Sequence, residues 1–148
     1  MLNKLFGIPT SLNEYNDYVF GHEQLEKLKV DTETYKHGES FNKLIKHCED
    51  NDIDWYIFTN AHVNWVEHFS KLMDIEIKNE KIIWPTDLDL LKPNMLAYER
   101  VESTIPNSSF VMVDDSKLNL EIPMKKPWNW KAVHFEEFHD VDYIIKKL

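Results

Sequence analysis

The sequence predicts an α/β fold in which helices flank a parallel sheet, and two observations lead to it. Short runs of β-branched and aromatic residues, typical of buried strands, occupy 53–58, 109–113 and 131–135. Between them lie longer segments in which apolar residues recur at helical spacing, and this alternation is typical of a parallel sheet. A looser alternation over 75–84 allows one or two further strands.

The helices are expected from their periodicity and from the signals at their ends. Ser11 and Glu14 have the spacing of a capping box, and Gly21 suits the end of the helix that they start. Ser40 is a suitable N-terminal cap, and Pro93 suits a first helical turn. The predicted helices are 11–21, 40–50, 62–73, 93–102 and 141–148.

The chain has the size of one domain, and its composition excludes several classes of function. Its 148 residues carry a formal net charge of −9, and no basic stripe offers a surface for nucleic acid. A single cysteine, Cys48, excludes an internal disulfide, and three glycines cannot form a dinucleotide-binding loop or a P-loop. Without a leader or a run of about 18 apolar residues, the protein is expected to be cytoplasmic and to avoid membranes.

Polar residues follow two of the predicted strands, at the end where open α/β sheets usually bind ligands. Thr59 and Asn60 lie between a strand and a helix, a position that suits a phosphate group or a helix cap. Asp114 and Asp115 follow the strand at 109–113. Paired carboxylates there suit Mg²⁺, and the alternative is a solvated Asp114 beside a helix cap.

A lysine lies just before the predicted helix at 93–102. From that position Lys92 can reach a phosphate group or a metal-bound carboxylate, and the alternative is an ordinary solvated side chain. A hydroxyl, an ammonium and a pair of carboxylates therefore follow one another in a fixed order along the chain.

Three segments resemble motifs II, III and IV of the haloacid-dehalogenase-like (HAD) superfamily of hydrolases. They are YIFTNA at 56–61, LKPNMLAYERV at 91–101 and FVMVDDSKLNLE at 110–121. The phrase FTNA is similar to the pyrimidine 5′-nucleotidase-like branch of that superfamily. The resemblance implies a Rossmann-like HAD core at 39–148 and a partial helical cap segment at 1–38.

The resemblance also implies a role for each polar residue. Thr59 and Asn60 would hold a phosphoryl group, and Lys92 would neutralise charge in the transition state. Asp114 and Asp115 would help to hold Mg²⁺ as a cofactor. The implied substrate is a phosphorylated small molecule, and the branch suggests a nucleotide.

The nucleophile of this family is the first Asp of an Asp-x-Asp-x-Thr/Val motif, which ends the first strand ahead of the cap. In this sequence the cap-like segment begins almost at Met1, so the core is expected to lack that strand. Asp31, within VDTET at 30–34, is the candidate replacement. Against it, the residues at 25–30 are too polar for a central strand, and the stretch aligns better with the turn that joins cap to core.

Three functions follow as alternatives. The first is a HAD-like homologue that is inactive alone, or a truncated or split phosphatase. The second is a small active Mg²⁺-dependent phosphatase that uses Asp31, and the third is a non-catalytic interaction protein. A sheet without its first strand has an open edge, which predicts self-association or a partner chain that supplies the strand.

Overall fold

The computed structural model of the chain describes residues 11, 12, 14, 32–125, 127–136 and 139–148. These residues form a mixed α/β structure with five α-helices and two pairs of parallel strands, so the predicted fold class is confirmed at that level. None of the described helices is long and apolar enough to cross a membrane. Asp31 and most of the expected cap segment lie outside the described residues.

The elements are short apart from the first helix. In chain order they are α1 Thr32–Asp50, β1 Ile57–Phe58, α2 Val63–Leu72, β2 Ile82–Ile83, α3 Met95–Thr104, β3 Val111–Asp114, α4 Lys117–Glu121, β4 Lys131–His134 and α5 Val141–Ile145. Near the N-terminus, the Glu14 amide donates to Ser11 Oγ at 3.2 Å, which is the bond that the capping-box spacing predicts.

The chain divides into two compact units. Tyr56–Leu91 belongs to the first unit and contains β1, α2 and β2. Glu39–Trp55 and Lys92–Leu148 form the second unit, which contains α3, β3, α4, β4 and α5. The expected boundary between a cap segment at 1–38 and a HAD core at 39–148 stays a prediction.

In the first unit, β1 and β2 run parallel, with Ile57 opposite Ile82 and Phe58 opposite Ile83. Both isoleucines of β2 are buried, as the strand-like composition of 75–84 requires. The strand predicted at 53–58 is shorter than expected and consists of Ile57–Phe58 alone, since the Ile53 amide bonds to the end of α1 instead.

The second unit is built on β3 and β4, which are also parallel. Their register runs from Val111 opposite Lys131 to Asp114 opposite His134. Both strands lie within two residues of their predicted limits. Around them the buried apolar side chains come from the strands, from α3 and α4 and from the residue before β4, and they include Met112, Val133, Leu120, Val101, Ala97, Tyr98 and Trp130.

Two helices end in the same way, with an aspartate where a glycine is usual. Asp52 (φ 56°) and Asp74 (φ 53°) both adopt the left-handed conformation. After Asp52, the Ile53 amide donates to the Cys48 carbonyl at 2.8 Å, and after Asp74 the Ile75 amide makes the corresponding bond at 2.8 Å. These are Schellman ends, in which the left-handed residue lets the chain satisfy the last carbonyls of the helix.

Helix α1 begins at Thr32 and not near Ser40, which lies inside the helix with its side chain exposed. The predicted cap at Ser40 is therefore wrong. A polar side chain in the middle of an exposed helical face has the same sequence signature as a cap when the preceding turn is polar as well.

Replacing Gly38 by alanine is expected to destabilise the protein, although this change usually stabilises a helix by about 1 kcal/mol. A methyl group at Gly38 would overlap the Met73 carbonyl oxygen and lie 3.1 Å from the Met73 Cβ. Urea unfolding should show a loss of about 1–3 kcal/mol, the usual cost of overpacking. The exposed Ser40→Ala change is the matched control, and a stabilised Gly38→Ala protein would contradict the close approach.

Candidate functional site

The site in the second unit lies where β3 ends. Asp114 is the last residue of that strand, and Lys92 precedes α3. Lys92 Nζ donates to Asp114 Oδ2 at 2.7 Å, and the two side chains are only 8% and 7% exposed. The structure therefore brings together two of the residues singled out in the sequence, and it buries both as an ion pair. The alternatives of a solvated Lys92 and a solvated Asp114 are wrong.

The carboxylate of Asp114 accepts further hydrogen bonds from α4 and the turn before it. The Ser116 amide donates to Oδ1 at 2.8 Å. The Asn119 side-chain amide lies 3.1 Å from Oδ1 and 3.2 Å from Oδ2. A carboxylate has roughly four lone-pair sites, and these contacts together with Lys92 occupy both oxygens.

Burial raises the pKa of the Asp114 carboxyl, but other interactions outweigh it. The hydrogen bond and positive charge of Lys92 lower the pKa, and the Ser116 amide and the Asn119 side chain lower it further. The net result is a pKa below the ordinary value for aspartate. Asp114 is therefore an anion at neutral pH, and its charge is balanced inside the protein by Lys92.

This lowered pKa predicts how stability depends on pH. Because the pKa of Asp114 is lower in the folded chain than in the unfolded chain, its contribution is complete above the unfolded value of about 4. The contribution is lost as the pH falls through the lower folded pKa. Urea unfolding at a series of acid pH values should show a steeper loss for the wild type than for Asp114→Asn, and parallel curves would contradict the assignment.

Tyr98 stabilises this cluster through Asn119. Its side chain is fully buried (0% exposed), and its hydroxyl donates to the backbone carbonyl of Asn119 at 2.7 Å. Burial raises the pKa of Tyr98, and the charge of Asp114 raises it further, so the hydroxyl stays a neutral donor. Asn119, which contacts both oxygens of Asp114, is thus fixed through its own backbone.

Asp115 differs from its neighbour, because the residue is exposed. Its backbone carbonyl accepts a hydrogen bond from His134 Nε2 at 2.9 Å, which links the residue after β3 to the last residue of β4. Ser116 occupies the cap position of α4 but makes no side-chain cap bond. The two aspartates are therefore not equivalent: one is enclosed by donors and the other faces outward.

The magnesium site implied by the HAD resemblance needs oxygen ligands that are free to bind a cation. Asp114 does not fit this requirement, since its oxygens accept from four donor contacts and one donor is an ammonium group. Within the described ranges, no three or more His, Cys, Asp or Glu side chains are arranged to hold a metal ion. Magnesium binding stays a prediction, and the geometry of Asp114 disfavours it.

The first unit holds the other predicted polar residues, after β1. The Thr59 amide donates to the Ile83 carbonyl at 3.0 Å, and Thr59 Oγ1 accepts from the Ala61 amide at 3.0 Å. The hydroxyl thus shapes the turn that leads into α2. Asn60 follows it in the same half-buried turn.

Neither residue caps α2. The cap is His62, whose Nδ1 accepts from the Asn64 amide at 3.3 Å and whose ring lies 4.8 Å from the Trp84 ring. The cap alternative for Thr59 and Asn60 is therefore wrong. Histidine is an uncommon cap, so no sequence signal favoured it.

Two features of the cluster at Asp114 were not singled out in the sequence, namely the Tyr98 hydroxyl and the Ser116 amide. Tyr98 carries a signal, since Ala97, Tyr98 and Val101 form one apolar stripe on α3. That stripe predicts a core tyrosine but not its bond to Asn119. A backbone amide carries no sequence signal at all.

The chain matches no family model, no curated protein and no solved structure. The functional interpretation therefore depends on the residues themselves. In the second unit these are a buried ammonium–carboxylate pair at a strand end and one exposed aspartate beside it. In the first unit the relevant feature is a threonine turn after a strand.

Proposed function

We propose that this chain is a HAD-like phosphohydrolase homologue that binds phosphate monoesters through Lys92. One observation carries the proposal: a buried Lys92–Asp114 pair at the end of a parallel strand, with Asn119 five residues further on. A lysine held this way has a fixed position. That is the kind of preorganised positive group that phosphate recognition uses.

The other contacts to a phosphate group follow from the motif resemblance. Thr59 and Asn60 would contribute a hydroxyl and an amide, and Asp114 would hold Lys92 in place. By the same resemblance the ligand is a small phosphorylated molecule, and a nucleotide is the class that the branch suggests. Because the evidence for Thr59 and for Lys92 is separate, each of these two residues is tested by its own variant.

We further propose that the chain does not turn over a phosphate monoester by itself. Nucleophilic attack needs a carboxylate with an accessible lone pair. Asp114, which ends β3, accepts from Lys92, Ser116 and Asn119 and does not meet that need. The candidate nucleophile is Asp31, and a strand supplied by another chain is the alternative source.

The test combines phosphate binding and hydrolysis. Inorganic phosphate is titrated by calorimetry into the wild type, Thr59→Ala and Lys92→Met, and hydrolysis of p-nitrophenyl phosphate is followed with and without Mg²⁺. Each lost contact should weaken phosphate binding roughly ten- to hundredfold, because a charge-assisted hydrogen bond contributes about 1.5–3 kcal/mol. Lys43→Met is the matched control, since Lys43 forms an exposed ion pair with Asp142 at 2.7 Å.

Each outcome separates the alternatives. Saturable phosphate binding without turnover supports the proposal. Turnover that is lost in Asp31→Asn would identify an active phosphatase and overturn the proposed inactivity. The absence of any phosphate binding by the folded wild type would contradict the proposal and favour a non-catalytic interaction protein.

A further inference from the structure

The cluster around Asp114 leaves little room for a metal ion. Its carboxylate accepts four donor contacts between 2.7 and 3.2 Å. One comes from Lys92, one from the Ser116 amide, and two from the Asn119 side-chain amide, which contacts each oxygen. A divalent cation would need at least one of these lone pairs. It would also have to approach the Lys92 ammonium, which carries charge of the same sign.

A second ion pair of equal length shows what burial adds. Lys43 Nζ lies 2.7 Å from Asp142 Oδ1, but these side chains are 54% and 49% exposed. That lysine can exchange its carboxylate for water at little cost, as exposed ion pairs generally do. If Lys92 left Asp114, a buried ammonium and a buried carboxylate would both lose this 2.7 Å contact, so Lys92 remains on Asp114.

We infer that the Lys92 ammonium occupies the place of a divalent cation at Asp114, so that this site binds an anion without Mg²⁺. The statement about anion binding rests on the proposed function, whereas the statement about the cation stands on the contacts of Asp114 alone. The donors around the Asp114 carboxylate are one ammonium group and two uncharged amides.

The Ser116 amide provides a direct probe in the wild-type protein. Because this N–H donates to Asp114 Oδ1, an ion that binds the carboxylate must change its NMR chemical shift. Mg²⁺ is titrated without phosphate, and the Ser116 amide signal is expected to stay in place. A saturable shift of that signal would overturn the inference, whether or not the protein binds phosphate.

Removal of the ammonium should create the metal affinity that the wild type lacks. In Lys92→Met, Asp114 and the adjacent Asp115 are expected to bind Mg²⁺ roughly tenfold or more tightly than the wild type, the range in which a neighbouring group tunes metal affinity. Lys43→Met should match the wild type. Equal affinity of Lys92→Met and the wild type would overturn the role given to Lys92, and Lys92→Gln serves if the methionine variant does not fold.

The phosphate titration separates this inference from the proposed function. If the wild type binds phosphate, its affinity should be the same with Mg²⁺ and with a chelator. A phosphate affinity that rises with Mg²⁺ and returns to its metal-free value in Asp114→Asn would overturn metal independence while leaving phosphate binding intact. If no phosphate binds, the proposed function fails, and the Ser116 signal still decides the question of the cation.

Discussion

Replacement of Asp114 by alanine is expected to lower the free energy of unfolding by about 3–5 kcal/mol, the usual effect of removing one partner of a buried ion pair. The change leaves the Lys92 ammonium buried without its carboxylate. It also leaves the Ser116 amide and the Asn119 side chain without the acceptor that they share. Urea unfolding followed by tryptophan fluorescence measures the effect.

The matched control is Asp142→Ala, which removes a carboxylate from an ion pair of the same length. Because that pair is exposed, the variant should unfold close to the wild type. Equal losses of unfolding free energy in the two variants would mean that Asp114 contributes no more than a surface charge. That result would contradict the buried ion pair.

Replacement of Tyr98 by alanine is expected to cost about 3–5 kcal/mol, since the loss of a fully buried aromatic ring leaves a cavity. The ring centroid lies 5.8 Å from that of Trp130 and 6.4 Å from that of Trp128, so the cavity would open beside the largest side chains of this unit. Thermal and urea unfolding both report the change.

Tyr98→Phe separates the hydroxyl from the ring. It keeps the packing and removes only the bond to the Asn119 carbonyl, so the expected cost is about 1 kcal/mol. Phosphate affinity should fall in the phenylalanine variant as well if Asn119 helps to position Asp114 and Lys92. A loss of stability as large as in Tyr98→Ala would show that the hydrogen bond, and not the ring, dominates at this position.

The sequence predicted β3 and α3 of the second unit well, because their signals are local. The strand at 109–113 and the helix at 93–102 agree with β3 and α3 within two residues. Runs of β-branched residues and an apolar stripe at helical spacing determine both without help from distant parts of the chain.

The predicted helices 40–50 and 62–73 end within one residue of α1 and α2, but the left-handed residues that follow these helices could not be predicted. Glycine is the usual signal for a left-handed residue after a helix, and here Asp52 and Asp74 take that conformation. Aspartate also favours the starts of helices, so its presence alone does not distinguish the two ends. For this reason the predicted strand at 53–58 included Ile53, whose amide bonds to the end of α1.

The candidate site was predictable as a set of residues but not as a geometry. Lys92 and Asp114 were recognised from their positions before a helix and after a strand, yet they lie 22 residues apart. No periodicity shows that such residues meet. The four contacts at Asp114 depend on how α3 and α4 pack on β3, and packing of this kind is a tertiary property.

The contacts of Asp114 also have a consequence for local opening of the fold. The Asp114 carboxylate, at the end of β3, accepts from Lys92 ahead of α3 and from the Ser116 amide at the start of α4. Tyr98 on α3 donates to the Asn119 carbonyl and so connects α3 to α4 as well. None of these segments can separate from the others without exposing an unpaired buried charge or donor. Hydrogen exchange at the Ser116 amide should therefore require the unfolding of the whole unit, and it should be slower than exchange in the outward-facing turns of the same chain.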